Sequence, residues 1–227
     1  PCRVWRKLEQ GCILNASPEV APPVSFLSVT SVPTLRWSSP KAFTLKPPFA
    51  SMVFLILGLV MFGLGEALLV KAGVGVSPWT VFAEGVTNIT GWSLGLATFL
   101  ISATVLLLWI PLRQTPGIGT ILNAVIVALV LEYALPILPH FDSYLANALL
   151  ALTGVFVTGF GGAIYLVANL GPGPRDGLMT GLQRVTGKPI ALVRMSIELS
   201  VVAIGWALGG TLGLGTLLFA VGIGPAM

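Results

Sequence analysis

The chain has 227 residues, of which 55% are hydrophobic and 9% charged, with a formal net charge of +4. Soluble domains carry roughly 25% charged residues, so the composition excludes an ordinary soluble enzyme or binding domain. The positive charge does not indicate a nucleic-acid partner, because six of the twelve basic residues precede the first long apolar stretch.

Residues 1–48 form a polar leader with eight prolines and no sustained apolar periodicity, and we expect this leader to be poorly ordered. Its two cysteines, Cys2 and Cys12, have no histidines at metal-ligand spacing. The chain opens with Pro1 in place of Met, which is typical of a fragment or of translated upstream sequence. A cleaved signal peptide is not expected, since the first apolar run is about a full bilayer span.

Six apolar stretches after the leader are predicted to be membrane-spanning helices, because each approaches the length that crosses about 30 Å of hydrocarbon. They are residues 49–70, 92–110, 118–138, 144–170, 190–208 and a short last stretch, 212–227. We therefore expect an all-α, polytopic membrane protein.

Two shorter segments, residues 78–90 and 174–186, are too polar and too short to cross. Each begins with proline at the first helical position, after Ser77 or Gly173, which is typical of a helix N-terminus. Apolar residues recur on one side of both segments at helical spacing. They are Phe82, Val86 and Ile89 in the first segment and Leu178, Leu182 and Val185 in the second. The pattern predicts amphipathic helices that are re-entrant or lie at the membrane interface.

The sequence contains an internal repeat with a shift of 96 residues. Without any gap, residues 58–125 align with 154–221, and 21 of the 68 positions are identical, including eight glycines. Each copy has three predicted spans, and an odd number makes the second copy enter the bilayer from the opposite side. We therefore predict two inverted repeats, over residues 49–138 and 144–227.

The basic residues predict the orientation. With the N-terminus inside, ten of them, including Arg113, Arg184 and Lys188, lie on the cytoplasmic side, whereas Lys71 alone lies outside. We expect both termini to be cytoplasmic in a bacterial plasma membrane.

A glycine- and proline-rich segment, GPGPRDGLM at residues 171–179, is the sharpest local motif. Free backbone amides near a helix N-terminus favour anions, and Arg175 adds a fork of donors, so the segment is a candidate site for an anionic or zwitterionic solute group. Gly171 and Gly173 belong to this candidate site. In the alternative interpretation, Asp176 neutralises the helix dipole, Arg175 anchors at lipid headgroups and the glycines only allow a tight turn.

Four ionisable residues fall inside predicted spans, where such residues are functional candidates. Arg194 and Glu198 lie one helical turn apart near the membrane midplane, and Glu66 and Glu132 lie nearer the external ends of their spans, where partial hydration is possible. One hypothesis is that Arg194 and Glu198 bind a substrate or coupling ion, and the other is that they form a structural pair. The matched residues of the first copy, at 98 and 102, are polar threonine and serine.

No Ser/His/Asp, Cys/His or metal-ligand cluster occurs in the membrane domain, so we expect no enzyme activity, no metal and no cofactor. An inverted repeat with interrupted segments and charges at mid-membrane favours a small-solute transporter with a site near the repeat interface. The partners expected are the lipid bilayer and a small anionic or zwitterionic solute, with the oligomeric state left open. The alternative hypothesis is a non-transporting accessory or regulatory membrane subunit.

Three stretches resemble the YczE-like members of the YczE/YyaS/YitT membrane proteins. They are GPGPRDGLM, the Arg194 and Glu198 pair, and GWALGGTLGLGTLLFAVGIGP, and the earlier run GVGVSPW is similar as well. The resemblance covers roughly residues 50–227 and implies a bacterial integral membrane protein with several spans, but no particular substrate or reaction. Arg175, Asp176, Arg194 and Glu198 match its motif positions.

Overall fold

The computed structural model describes residues 35–39, 43–44, 46–139 and 141–226, except for the side chains of 224–226. The expectation of poor order for the leader therefore lies mostly outside the described residues. Within them the regular structure is entirely helical. The eight helices are α1 (Phe49–Ala72), α2 (Pro78–Thr90), α3 (Leu94–Leu108), α4 (Ile118–Ala134), α5 (Tyr144–Val167), α6 (Pro174–Thr186), α7 (Ile190–Ala207) and α8 (Leu214–Ala226).

The order of the helices follows the sequence repeat. The first residues of α2 and α6, of α3 and α7, and of α4 and α8 are each 96 positions apart, and α1 and α5 both have 24 residues. Both short helices have proline in the first turn and end at a glycine in the left-handed conformation, Gly91 or Gly187. These glycines stop the helices because glycine adopts a positive φ without steric cost.

Helix packing also follows the repeat, because the contacts that a helix makes recur at the equivalent helix of the other half. α1 packs along α5, α2 packs against α7, α3 against α6, α4 against α1 and α8 against α5. α1 and α5 approach closely at glycines, since a Cβ on Gly58 would lie 2.8 Å from the carbonyl oxygen of Gly161. Small residues allow such close helix contact in a membrane.

Two matched backbone hydrogen bonds tie the start of the fourth helix of each half to the opposite half. The Gly119 amide donates to the Leu170 carbonyl at 2.8 Å, and the Gly215 amide donates to the Val74 carbonyl at 2.8 Å. Both the donors and the acceptors are 96 residues apart. Each bond therefore joins one half to the loop that precedes the short helix of the other half.

Three helices are long and apolar enough to cross a membrane, namely α1, α5 and α7. α2 and α3 together would make a fourth, but they are bent by 114° at the break between them. α4 has 17 residues and spans about 25 Å at 1.5 Å per residue, and α8 is shorter. The expectation of a helical membrane protein is met, whereas six full-length spans are not found among the described residues.

Part of the leader packs on the helical domain. The Ser39 amide donates to the Ala168 carbonyl at 3.1 Å, and the Asn169 side chain donates to the Ser39 carbonyl at 2.9 Å. The Trp37 ring stacks on Phe54 with centroids 4.2 Å apart. The packed domain therefore extends at least to residue 35, upstream of the boundary at 48 that the sequence predicts.

Candidate functional site

The N-termini of the two short helices meet at a central cavity of about 160 Å³. Ser77, Pro78 and Trp79 line it from α2, and the matched residues Gly173, Pro174 and Arg175 line it from α6. Neither N-cap residue makes a side-chain cap hydrogen bond. The first-turn amides that are left without intrahelical partners give both helix ends a positive electrostatic character.

Every helix contributes to the cavity wall. Beside the two short helices, the lining includes Phe62 of α1, Thr98 and Ser102 of α3, Asn123 and Val127 of α4, Tyr165 of α5, Arg194 and Glu198 of α7, and Phe219 and Ile223 of α8. Seven pairs of lining residues are 96 positions apart in the sequence. The cavity therefore lies where the two halves of the repeat meet.

Arg175 and Trp79 occupy the same position in the two halves and contact each other. The guanidinium carbon of Arg175 lies 5.3 Å from the centroid of the Trp79 ring, in cation–π geometry. Arg175 makes no hydrogen bond or ion pair with the described residues, although Glu66, Asp176 and Glu198 lie within electrostatic range of it. Its fork of five donors thus remains open for a ligand.

Asp176 and Gly173 lie beside Arg175 in the first turn of α6. The Tyr165 hydroxyl donates to the Asp176 carboxylate at 2.8 Å, and Tyr165 packs edge-on against Phe62. A Cβ on Gly173 would lie 3.1 Å from Asp176 and 3.2 Å from the Tyr165 hydroxyl, so this glycine gives the carboxylate room. Gly171, in contrast, lies outside the cavity wall, where its positive φ of 111° shapes the loop against Gly117 and Thr120.

Arg194 and Glu198 both line the cavity, and they form an ion pair with each other. Arg194 Nε and Glu198 Oε1 are 2.9 Å apart on the same face of α7, with side-chain exposures of 47% and 27%. The pair lies within one helix, as an i, i+4 pair on the surface of α7.

Glu66 is buried, with 1% of its surface exposed, so the expected partial hydration is not seen. Its Oε2 accepts hydrogen bonds from the hydroxyls of Ser77 and Thr80, both at 2.7 Å, while its Oε1 has no partner among the described residues. Glu66 therefore lies behind the cavity and reaches it through Ser77. Glu132 is exposed, packs beside Gly95 and lies outside the cavity.

Two lining residues that contact the charged side chains of the wall, Trp79 and Tyr165, were not among the candidates that the sequence provides. The sequence could have indicated Trp79 as a site residue, because the repeat aligns it with Arg175. It could not have indicated Tyr165, since this residue stands in an apolar stretch and nothing in its neighbourhood distinguishes it from a lipid-facing or core tyrosine.

A second, apolar groove of about 630 Å³ adjoins the cavity at Trp79. It runs between α2, α3, α6 and α7, and Phe82, Val86, Leu178 and Leu182 line it. Four of the six residues predicted for the apolar faces of the short helices therefore face this groove. Ile89 and Val185, at the far ends of these helices, are exposed instead.

The outer surface identifies the class of protein. Large apolar side chains are exposed over most helices, including Phe49, Leu107, Phe156 and Val221, far beyond what a soluble monomer tolerates. Together with the long apolar helices, this surface defines an integral membrane protein of packed α-helices.

The chain belongs to the family described as "Family of unknown function (DUF6198)", whose model matches residues 49–227. It is 39% identical over 199 residues to an "Uncharacterized protein" of Haemophilus influenzae, which covers 88% of this chain and 90% of the relative. It is 31% identical to the "Uncharacterized membrane protein YczE" of Bacillus subtilis, over 74% of this chain and 79% of the relative. The resemblance to YczE-like proteins is thus confirmed.

A third relative, the "Uncharacterized protein YyaS" of Bacillus subtilis, is 25% identical over 71% of this chain and 83% of its own length. No solved structure matches the chain.

Proposed function

We propose that the protein is a small-solute transporter of the bacterial plasma membrane, with its binding site in the central cavity. The observation that carries the proposal is the composition of the cavity wall, to which seven pairs of residues related by the 96-residue repeat contribute. In secondary transporters with internal repeats, the site lies near mid-membrane at the repeat interface, beside interrupted helices. A cavity that both halves share can open to either side as one half moves against the other.

The proposal includes an architecture of two inverted three-span repeats, with α2 and α6 as re-entrant helices and both termini cytoplasmic. Contacts from the ends of α1 and α6 to loops support this architecture, because they join segments that the topology places on the same side of the membrane. The Arg184 side chain donates to the carbonyls of Leu112 and Arg113, and Lys71 donates to the carbonyl of Leu135 at 3.4 Å. α4 and α8 would be short spans in this arrangement.

The charges around the cavity support a small anionic or zwitterionic solute. Two helix N-termini and the unpaired guanidinium of Arg175 attract negative groups. Asp176 and Glu198 on the same wall provide negative charge for a cationic group. The proposal includes no catalytic step.

Exchange by the purified, full-length protein in proteoliposomes tests the proposal. With labelled amino acids and short carboxylates as probes, we expect saturable counterflow of at least one solute, and its loss in Arg175→Ala. Lys188→Ala removes an exposed basic residue outside the cavity and is the charge-matched control, which should retain exchange. Saturable binding without exchange would contradict transport and favour the accessory-subunit hypothesis. Exchange that persists in Arg175→Ala would show that the solute does not depend on Arg175 for binding.

A further inference from the structure

We propose that the cavity binds a small monocarboxylate, whose carboxylate is held by Arg175, the Trp79 indole N–H and the Thr98 hydroxyl. The inference rests on the proposed function, because it assigns a solute class to the same cavity. It starts from hydrogen-bonding groups of the cavity wall that have no partner within the protein.

Two lining residues carry buried polar atoms without hydrogen-bond partners among the described residues. They are Nε1 of Trp79, which is 7% exposed, and Oγ1 of Thr98, which is 3% exposed. Buried polar atoms are almost always hydrogen-bonded, so each exception calls for an explanation. Trp109 shows the usual arrangement, since its Nε1 donates to the Pro174 carbonyl at 3.0 Å. A ligand in the cavity would supply the missing partners after a small movement of the two side chains, because neither atom is accessible to water in this structure.

Donors predominate among the unpaired groups of the wall, and each acidic group already accepts a hydrogen bond at one oxygen. Glu198 is paired with Arg194, and Asp176 accepts from Tyr165. Arg175, Trp79 and Thr98 lack partners among the described residues and can donate, whereas Ser102 and Asn123, which also line the cavity without a side-chain hydrogen bond, can donate or accept. This imbalance favours an acceptor-rich, anionic group over a cation. The bare Oε1 of Glu66 is an acceptor, but Glu66 is not part of the cavity wall.

The helix ends add to the same preference. Proline at the first position of α2 and of α6 has no N–H, so the amides of Trp79, Arg175 and Asp176 are the next donors along these helices. None of these three amides bonds to another backbone group outside its helix. The two helix ends favour an anion, in competition with the carboxylates of Glu66 and Asp176 that lie beside them.

Charge and volume select a monocarboxylate among anions. One lining guanidinium, that of Arg175, has no direct ion-pair partner among the described residues, and the carboxylates of Asp176 and Glu198 on the same wall already supply negative charge. A dianion would therefore leave a larger excess of negative charge in the site than a monoanion. A cavity of about 160 Å³ is smaller than the roughly 300–1,000 Å³ of a typical ligand pocket, so it suits a small solute. Val127, Met179, Phe219 and Ile223 make part of its wall apolar, which suits a short hydrocarbon tail.

Equilibrium binding of radiolabelled acetate to the purified, full-length protein tests the inference, with unlabelled acetate, lactate and sulfate as competitors. We expect saturable binding that acetate and lactate displace and sulfate does not. Trp79→Phe keeps the aromatic ring and removes the N–H, and Thr98→Val keeps the shape and removes the hydroxyl. Each should weaken binding roughly tenfold, since each removes a hydrogen bond to a charged group.

Matched controls separate the cavity from other buried or aromatic positions. Thr158 also has a buried, unpaired hydroxyl but is not part of the cavity wall, and Trp206 is exposed on α7. Binding should be unchanged in Thr158→Val and Trp206→Phe. Gel filtration and thermal unfolding establish that each variant is folded.

Three results would overturn the inference: folded protein that binds no acetate, displacement by sulfate as effective as by acetate, or unchanged affinity in both Trp79→Phe and Thr98→Val. A folded protein that binds no acetate can still transport another solute, and the exchange experiment tests this separately. Acetate binding without exchange in proteoliposomes would support the ligand class and refute transport, so the two failures are distinguishable.

Discussion

At the residue scale, Glu66 organises the N-terminus of α2. A buried carboxylate accepts hydrogen bonds from Ser77, the N-cap residue, and from Thr80 in the first turn, at 2.7 Å each. The two hydroxyls also lie 2.9 Å from each other. In the second half the matched residue is Gly162, and the carboxylate near the helix end is Asp176 of α6 itself. Each short helix therefore has one acidic group beside its positive end, supplied from a different place in the two halves.

We predict that Glu66→Leu destabilises the protein more than Glu66→Gln does. The glutamine amide oxygen still accepts from the two hydroxyls, whereas leucine leaves them with each other as partners in a buried site. The loss should be about 1–3 kcal/mol, the typical cost of leaving a buried polar group unsatisfied. Thermal unfolding of the detergent-solubilised variants measures the difference. Glu132→Leu, at an exposed glutamate, is the control, and equal stability of both Glu66 variants would show that the hydroxyl contacts contribute nothing.

At the element scale, the short helices were fully predictable and the long ones nearly so. Residues 78–90 and 174–186 are helical with the predicted boundaries, because proline at the first turn and a left-handed glycine after the last residue determine both ends locally. Of the long helices, α1 also ends at a left-handed glycine, Gly73, whereas α4 and α5 end without one. The fourth helix, for example, ends at Ala134 instead of residue 138, where the chain continues as a turn.

The segment at residues 35–39 illustrates what composition alone does not reveal. It lies in a leader whose many prolines and scattered charges are typical of disorder, yet Ser39 is buried and Trp37 stacks on Phe54 of α1. The Ser51 hydroxyl donates to the Trp37 carbonyl. Such contacts depend on residues more than ten positions away along the chain, so a local pattern could not predict them.

We predict that Trp37→Ala lowers stability, whereas Arg36→Ala next to it does not. Trp37 loses the stacking contact with Phe54 and its packing near Leu55 and Leu59, while Arg36 is exposed. For a half-buried tryptophan we expect a loss of about 1–3 kcal/mol. The thermal unfolding midpoint of the two variants in detergent measures it. Identical midpoints would show that the segment is dispensable for stability.

At the scale of the whole molecule, the repeat predicted that the two halves meet but not what they enclose. The sequence identified Arg175, Asp176, Arg194 and Glu198, and the structure brings all four to the cavity. It did not predict that Glu66 would be buried behind the wall and Glu132 left outside it. Depth along a helix can be read from position in an apolar run, but the direction a side chain faces depends on the packing of neighbouring helices.

The pairing of equivalent positions explains why the cavity is chemically asymmetric although the backbone repeats. Trp79 faces Arg175, and threonine and serine in α3 correspond to Arg194 and Glu198 in α7. One half thus supplies aromatic and hydroxyl groups, and the other supplies the charges. If the two halves were identical, two guanidiniums would lie next to each other at the interface. Like charges repel each other strongly in a low-dielectric site. The divergence of the two copies is therefore a physical requirement for a charged central site.

The last prediction concerns the orientation of the whole molecule. In a variant with Cys2 and Cys12 replaced by serine, an impermeant thiol reagent added to intact cells should label Ser143→Cys and leave Thr115→Cys unlabelled. Both positions are exposed in loops, and neither substitution changes the charge distribution. The reason is the division of basic residues, ten to one, which favours the loop containing residue 115 on the cytoplasmic side. Permeabilised cells are the control, in which both positions should react. Labelling of residue 115 from outside would refute the orientation, and labelling of both positions in intact cells would refute a crossing by α4, and with it the inverted repeat.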